Sequence, residues 1–249
     1  MMPVIRKRGS RAGVVVAVVA SAATLALAAP VHGDTITIPY WSSHVQVTSP
    51  IGYDLDHWEI IENPCQRSLF AQAGDSISAS TIDFAWGEVF GTFLIQSDQV
   101  ARGASAGSTW TTAGGHIWLQ TTQPLSLSVS GNWQYSLPAD YMEAAIGVGV
   151  KATDSSEYLF IQYEEAETLP GEPASGTLTV QGTATLTPGH TWSMDWNLAL
   201  TADQGTQDYL ATGNGYVSFF ISPEPATLAL LAPLLLALPR RAICRSRQR

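Results

Sequence analysis

Strict alternation of apolar and polar residues dominates the middle of the chain. Between residues 125 and 137 the odd positions carry apolar or aromatic side chains or glycine, whereas the even positions carry serine, asparagine or glutamine. The pattern recurs at residues 177–187 and again at 192–200. A period of two residues is typical of β-strands that bury one face. These three segments are therefore predicted strands.

Weaker alternation predicts further strands along the chain. They cover residues 35–39, 44–48, 68–73, 76–86, 89–96, 116–121, 144–151, 157–163 and 216–221. Only residues 55–61 favour a short helical turn. Many short strands joined by polar segments rich in Gly, Ser and Thr predict an all-β fold, an antiparallel β-sandwich with jelly-roll-like connections.

The connections between these strands carry their own signals. Pro188-Gly189 is a turn signal between the second and third strictly alternating segments. We therefore expect those two segments to form a hairpin. Three connections are expected to be long, and function on such scaffolds is often carried by loops. They are residues 101–115, 168–175 and 201–215.

The N-terminus has a different pattern. Four basic residues within the first eleven precede an apolar stretch at residues 14–29, which small and turn-forming residues follow. This order is that of a secretory signal peptide, and the stretch is shorter than the ~20 residues of a spanning helix. Cleavage after Ala28 and cleavage after Gly33 both fit the pattern. We favour Gly33, so that residues 1–33 are the signal helix.

The C-terminus contains three segments in a fixed order. Ser222-Pro223-Glu224-Pro225-Ala226-Thr227 precedes an apolar stretch at residues 228–238, and a basic cluster follows. The cluster consists of Arg240, Arg241, Arg245, Arg247 and Arg249. Two prolines one residue apart prevent a helix or a central strand, so we expect an exposed segment there. The apolar stretch can enter a bilayer as a helix, and the arginines hold its end in the cytoplasm.

This C-terminal order resembles the PEP-CTERM sorting signal of Gram-negative bacteria. The matching residues are Pro223, Glu224 and Pro225 for the motif, 226–238 for the membrane segment, and Arg240 and Arg241 for the basic stop. The resemblance implies a substrate of exosortase, a membrane enzyme that cuts near the motif. It covers only residues 222–249. A plain C-terminal tail anchor with an accidental Pro-Glu-Pro sequence is the alternative.

These signals divide the chain into a signal peptide at 1–33, an extracellular sandwich at 34–221 and a sorting signal at 222–249. With both basic ends inside, the sandwich lies outside. We expect an exported protein at the cell surface or in the medium, after a transient inner-membrane intermediate. Its partners during export are the secretion machinery and exosortase, and its membrane contact is transient.

Charge narrows the choice of other partners. Residues 34–221 contain 20 acidic residues against three basic ones, Arg67, Arg102 and Lys151, a formal charge of −17. Because phosphate backbones require clustered Lys and Arg, nucleic acid is excluded as a partner. Neutral polysaccharide or a divalent cation fits better, although solubility outside the cell accounts for such a charge by itself.

Residues 34–221 contain no enzyme motif. Their histidines show neither an HExxH pattern nor another paired metal-ligand spacing, and no serine lies in a nucleophile elbow. Cys65 is the only cysteine there, because Cys244 lies in the tail. A mature chain therefore forms no intrachain disulfide, and we expect a buried, inert thiol. We predict a protein that is not an enzyme.

The densest polar cluster covers residues 53–59, where Asp54 and Asp56 are predicted to share one strand face. Paired carboxylates can bind Ca²⁺ or perform acid and base chemistry on a glycoside. A solvated strand face is the simpler interpretation. If the chain binds a metal, Asp54 and Asp56 are the candidate ligands and Ca²⁺ is the candidate ion. We expect no other cofactor.

All eight Trp and all eight Tyr lie within residues 34–221. Trp133, Trp192 and Trp196 fall on the apolar sides of their strands, which assigns them to the core. Exposed rings, by contrast, can stack on sugars. The candidates for glycan stacking are Trp41, Trp58, Trp110 and Trp118.

The sequence therefore predicts an exported, exosortase-processed component of the extracellular matrix or envelope. A carbohydrate-binding β-sandwich module is the alternative. A secreted hydrolase that uses Asp54 and Asp56 is the third possibility.

Overall fold

The computed structural model describes residues 36–59, 65–88, 90–103, 107–169, 172–203 and 209–223. All regular structure in these ranges is β-strand. Within the same ranges no helix is long and apolar enough to cross a membrane. The predicted signal helix and the predicted C-terminal hydrophobic helix both lie outside the described residues.

Twelve strands follow one another in the described residues. They are β1 (Ile36–Ser49), β2 (Gly52–Glu59), β3 (Cys65–Ala73), β4 (Ser76–Trp86), β5 (Gly91–Arg102), β6 (Thr109–Thr121), β7 (Leu125–Leu137), β8 (Met142–Ala152), β9 (Tyr158–Glu167), β10 (Ala174–Leu186), β11 (Thr191–Ala202) and β12 (Leu210–Pro223). The strictly alternating segment at 125–137 coincides with β7.

The strands form two six-stranded sheets. Sheet A has the order β2-β1-β6-β11-β8-β9, and sheet B has the order β10-β7-β12-β5-β4-β3. Every paired set of strands within the two sheets is antiparallel. Each sheet buries one face against the other, so the predicted all-β antiparallel sandwich is confirmed.

The core lies between the inner faces of the two sheets. Trp133 is fully buried, and Trp192 and Trp196 are buried as predicted. Phe219 of β12 contacts Trp196 of β11, with ring centroids 6.2 Å apart. Burial of a large apolar side chain contributes about 1.5–3 kcal/mol. The alternating residues of central strands from both sheets thus hold the sandwich together.

The predicted hairpin around Pro188-Gly189 is wrong. β10 pairs with β7 in sheet B, whereas β11 pairs with β6 and β8 in sheet A. The turn therefore carries the chain from one sheet to the other. Alternation reveals which face of a strand is buried, but it does not reveal which strand lies beside it.

Two further expectations need correction. Residues 55–61 were expected to form a turn, but β2 covers Gly52–Glu59. Its polar inward residues weaken the apolar alternation that would mark a strand. The connections at 101–115 and 201–215 are shorter than predicted, because β6 begins at Thr109 and β12 at Leu210. The first half of each strand is rich in Thr and Gly, which resembles loop composition.

Side chains join the two sheets at both open edges. At one edge, β2 of sheet A contacts β3 of sheet B through Asp54 and Asp56. At the other edge, the side chain of Gln162 on β9 donates to the carbonyl of Thr179 and accepts from the N–H of Gln181, both on β10. These bonds satisfy backbone groups that an edge strand otherwise leaves to solvent or to another chain.

Candidate functional site

Asp54 and Asp56 lie at the edge of the sandwich and share the inward face of β2, as predicted. Asp54 Oδ2 accepts a hydrogen bond from the N–H of Gln72 at 2.8 Å, and its Oδ1 accepts one from the N–H of Leu55 at 3.0 Å. Asp56 Oδ2 accepts one from the N–H of Phe70 at 3.0 Å. The two carboxylates therefore stabilise the β2–β3 edge.

A metal site at this edge would need more ligands than the two carboxylates. Among the described residues, no three His, Cys, Asp or Glu side chains come together as a group that could hold a metal ion. The Ca²⁺ assigned to Asp54 and Asp56 thus stays an untested hypothesis, and their observed contacts are structural.

The four candidate tryptophans have different environments. Trp41 is 2% exposed and packs edge-on against Trp58 and Phe84, with ring centroids 4.8 and 4.9 Å apart. A ring buried in this way cannot stack on a sugar, so Trp41 is not a glycan-stacking residue. The irregular register between Thr37 and Tyr40 shifts the alternation along β1, so the sequence does not reveal the inward orientation of Trp41.

Trp58 also faces inward and packs against the core. The guanidinium carbon of Arg67 lies 4.9 Å from its ring centroid, an approach that covers the partly buried ring with a cation. Trp110 and Trp118, in contrast, are 42% and 39% exposed on the outer face of β6. Of the four candidates, these two present rings to solvent.

An aromatic cluster surrounds Trp118 on the outer face of sheet A. The cluster consists of Tyr40, His116 and Trp118. The ring of Tyr40 lies 5.2 Å from His116 and 5.0 Å from Trp118, at interplanar angles of 31° and 50°. The Tyr40 hydroxyl donates to Glu59 Oε1 at 2.9 Å, and this bond raises the pKa of Tyr40. The ring of Tyr40 is tilted against both neighbours, whereas His116 and Trp118 are stacked with centroids 5.9 Å apart at 30°. The three rings therefore do not form one flat platform.

His44 lies beside this cluster on the same face. It is directly opposite His57 on β2, and His116 is close enough to interact electrostatically. Burial, followed by the nearby His116 and His57, lowers the pKa of His44. The three histidines thus favour a neutral His44, and protonation there works against the folded state.

The far edge of sheet A is acidic. Glu143 of β8 pairs in register with Glu167 of β9. Partial burial, together with Glu165, Glu167 and Asp203, raises the pKa of Glu143. Burial and the adjacent Glu165 also raise the pKa of Tyr163 to about 12. This edge repels anionic ligands.

Shallow depressions lie on the outer face of sheet B. Two shallow depressions of about 430 and 460 Å³ share Ala79, Asp98 and Asn214 in their linings. Together they extend across β3, β4, β5, β12 and β7. The sequence did not single out Asp98 or Asn214, because only the non-local pairing of β5 with β12 makes them neighbours.

An array of six hydrogen-bonding side chains occupies the centre of this face. Asn214 of β12 lies directly opposite Gln134 of β7 and Asp98 of β5. Two positions further along β12, Tyr216 lies opposite Asn132 of β7 and Gln96 of β5. The polar array consists of Gln96, Asp98, Asn132, Gln134, Asn214 and Tyr216. Alternation could place Asn132 and Gln134 on the polar side of β7, but it could not assemble the array.

Cys65 is buried, as predicted. Cys244 lies outside the described residues, as do Glu224, Pro225, Arg240 and Arg241. Of the sorting motif, only Pro223 is described.

Pro223 is buried and forms the last residue of β12, a central strand. It was expected in an exposed segment, and that expectation is wrong for this residue. Pairing of β12 with β5 ends at Ile221, whereas pairing with β7 continues to Pro223. The proline therefore lies beyond the end of β5, where a missing backbone donor is tolerated.

No protein-family model matches the chain, and no curated protein matches it either. Among solved structures, the chain is similar to a chain in the structure of infectious bursal disease virus strain Gx. The identity is 9%, 83% of this chain and 73% of that chain are covered, and the TM-score is 0.22. The VP2 subviral particle of infectious bursal disease virus is 10% identical, with 79% of this chain and 68% of that chain covered and a TM-score of 0.20. A GH31 alpha-xylosidase from Xanthomonas citri is 9% identical, with 80% of this chain and 29% of that chain covered and a TM-score of 0.15. TM-scores this low support no conclusion about fold or function.

Proposed function

We propose that this chain is an exported, non-enzymatic surface or secreted protein, which exosortase processes at the C-terminal Pro-Glu-Pro motif. The observation that carries the proposal is the order of segments along the chain. A signal sequence precedes an acidic sandwich, and the motif, an apolar stretch and an arginine cluster follow it. In this account the sandwich serves in the extracellular matrix or envelope.

The end of β12 supports this order. The last strand of the sandwich reaches Pro223, the first residue of the motif. The described strand thus continues into the motif, whose next residues in the sequence are Glu224 and Pro225. Substitutions that test sorting should therefore spare Pro223, because a change there also alters β12.

The test compares Glu224→Ala and Pro225→Ala with the unchanged chain in the native host. Glu172→Ala is a matched control, since this exposed glutamate also precedes a proline. We expect the two motif variants to accumulate in the membrane fraction with the basic tail intact, whereas the control is processed normally. A blot against the tail measures processing in all four chains. Equal processing of the four would contradict the proposal.

A second candidate function is carbohydrate binding by the sandwich. Two outer surfaces favour it, the aromatic cluster on sheet A and the polar array on sheet B. Side-chain amides, carboxylates and phenols are groups that hydrogen-bond sugar hydroxyls, and exposed rings supply apolar contact. This function is compatible with export, because matrix and envelope components meet polysaccharides outside the cell.

We also propose that the sandwich is a jelly-roll-like variant. Strands distant in sequence lie side by side in both sheets, as in β1-β6-β11 and β7-β12-β5. Long-range antiparallel neighbours of this kind are typical of Greek-key connections, from which jelly rolls are built.

A further inference from the structure

The polar array on the outer face of sheet B differs from the rest of that face. The outward positions of β10 and the remaining outward positions of β7 are mostly serine and threonine. Six longer amide, carboxylate and phenol side chains lie side by side on three adjacent strands, β7, β12 and β5. Others on this face, Gln66, Gln72, Asp83 and Gln181, lie on the strands to either side of these three. A face selected only for solubility does not require six such side chains side by side.

The side chains of the array are free to bind a ligand. Within the described part of the chain, no side-chain hydrogen bond involves the carboxylate of Asp98 or the amides of Gln134 and Asn214. Directly opposite residues in an antiparallel pair have Cβ atoms about 4.5–5.5 Å apart. Gln134, Asn214 and Asp98 therefore form a continuous row of donors and acceptors across three strands.

The shape of the surface fits an extended ligand. Ala79 lies opposite Asp98 and is followed by Phe70 on β3, whose ring is 52% exposed. The short alanine creates a step between the polar row and the phenyl ring. From Gln134 to Phe70 the row crosses five strands, about 19 Å at the usual strand spacing. Each depression has the volume of a small-ligand site.

Charge selects the class of ligand. Asp98 is the only carboxylate of the array, which contains no Lys, Arg or His, and Arg102, further along β5, pairs with Asp75. The array thus offers no cationic group to an anionic polymer, and the acidic domain repels one. Amides and a phenol can donate to and accept from hydroxyl groups, while Tyr216 and Phe70 provide ring faces. The matching ligand is rich in hydroxyls and uncharged.

We propose that the outer face of sheet B, centred on Asp98, Asn214 and Tyr216, binds a neutral polysaccharide. The proposal rests on the carbohydrate-binding candidate function and is independent of tail processing. It assigns binding to the polar array and not to the aromatic cluster on sheet A, where the candidate Trp118 lies.

The test is affinity electrophoresis of the protein purified from the surface of the native host. The gels contain dextran, galactomannan, xyloglucan or hydroxyethyl cellulose as neutral probes and alginate as an anionic probe. We expect retardation by at least one neutral polymer and none by alginate. Asn214→Ala, Asp98→Ala and Tyr216→Ala should each weaken the retardation about tenfold, the loss of one good ligand contact.

Matched controls lie on the opposite sheet. Asn197→Ala alters a half-exposed outward position of sheet A and is the control that should leave retardation unchanged. Trp118→Ala tests the rival surface, the aromatic cluster, and we expect retardation to persist there too. Thermal midpoints of all variants identify any that unfold, and Asn214→Thr replaces Asn214→Ala if the latter does. Retardation by no neutral polymer, or loss in Trp118→Ala with retention in the three array variants, would overturn the proposal. Tail processing is read separately from the mass of each protein, so failure of sorting and failure of binding are distinguishable.

Discussion

Asp54 Oδ2 accepts a hydrogen bond from the backbone N–H of Gln72 at 2.8 Å and so joins the edge strand of sheet A to the edge strand of sheet B. Asp56 repeats the contact two residues along, with the N–H of Phe70. Residues that suggest metal or catalytic chemistry in the sequence thus hold two sheet edges together in the structure.

Removal of these carboxylates should destabilise the sandwich. Asp54→Ala and Asp56→Ala each leave a backbone donor of β3 without its acceptor, which costs about 0.5–1.5 kcal/mol at an exposed site. Asp83→Ala, on the exposed outer face of β4, should stay within about 0.5 kcal/mol of the unchanged protein. Urea denaturation measures all three. Equal stabilities of the edge variants and the control would show that the contacts are not stabilising.

Gly213 should not tolerate a side chain. A Cβ there would lie 2.4 Å from Cζ2 of the fully buried Trp133. Because the indole has no space to move into, we expect Gly213→Ala to cost about 1–3 kcal/mol, as overpacking does. Gly87→Ala is the control, since nothing lies within 4 Å of a Cβ at that position. Thermal unfolding that ranks the two variants equally would contradict the packing described for Trp133.

Stability should fall on mild acidification because of His44. Its pKa in the folded state lies below the ordinary value of 6.5, so the unfolded state binds the proton more readily. The stability that neutral His44 contributes is complete above pH 6.5, and it is lost as the pH falls from there through the folded pKa. Removal of the imidazole in His44→Gln should flatten the decline in denaturation midpoint between neutral and mildly acidic buffer. An unchanged slope would exclude His44 as the cause.

Glu143 should affect the pH dependence of stability in the opposite direction to His44. Its folded pKa is raised, so its ionised form destabilises the folded state at neutral pH. Glu143→Gln should stabilise the protein by about 0.2–1 kcal/mol, the size of one unfavourable cross-strand pair with Glu167. The advantage should shrink as the pH falls and Glu143 of the unchanged protein is protonated. Glu157→Gln, which removes a charge from an exposed loop, separates this local effect from the net charge.

The sequence predicted local properties of the chain better than it predicted neighbours. The bounds of β7 follow directly from its alternation, and the buried side of β11 was placed correctly through Trp192 and Trp196. In the same way, Asp54 and Asp56 were placed on one face of their strand. Each of these properties depends on a period of two residues within one segment.

Pairing between distant strands could not be predicted in this way. β12 lies between β5 and β7, more than 70 residues away in sequence, and only this arrangement brings Asn214 beside Asp98 and Gln134. The false hairpin at Pro188-Gly189 has the same origin, because a turn signal does not state whether the chain stays in one sheet. Trp41 was missed as a core residue because its own strand has an irregular register between Thr37 and Tyr40.

We propose that the chain is exported and cut at its C-terminal motif. Mass spectrometry of the protein recovered from the surface or medium of its native host shows where the mature chain begins and ends. We predict a mature chain that begins at Asp34 and ends close to Pro225, without the arginine cluster. A surface-exposed chain whose mass includes all residues to Arg249 would contradict the account.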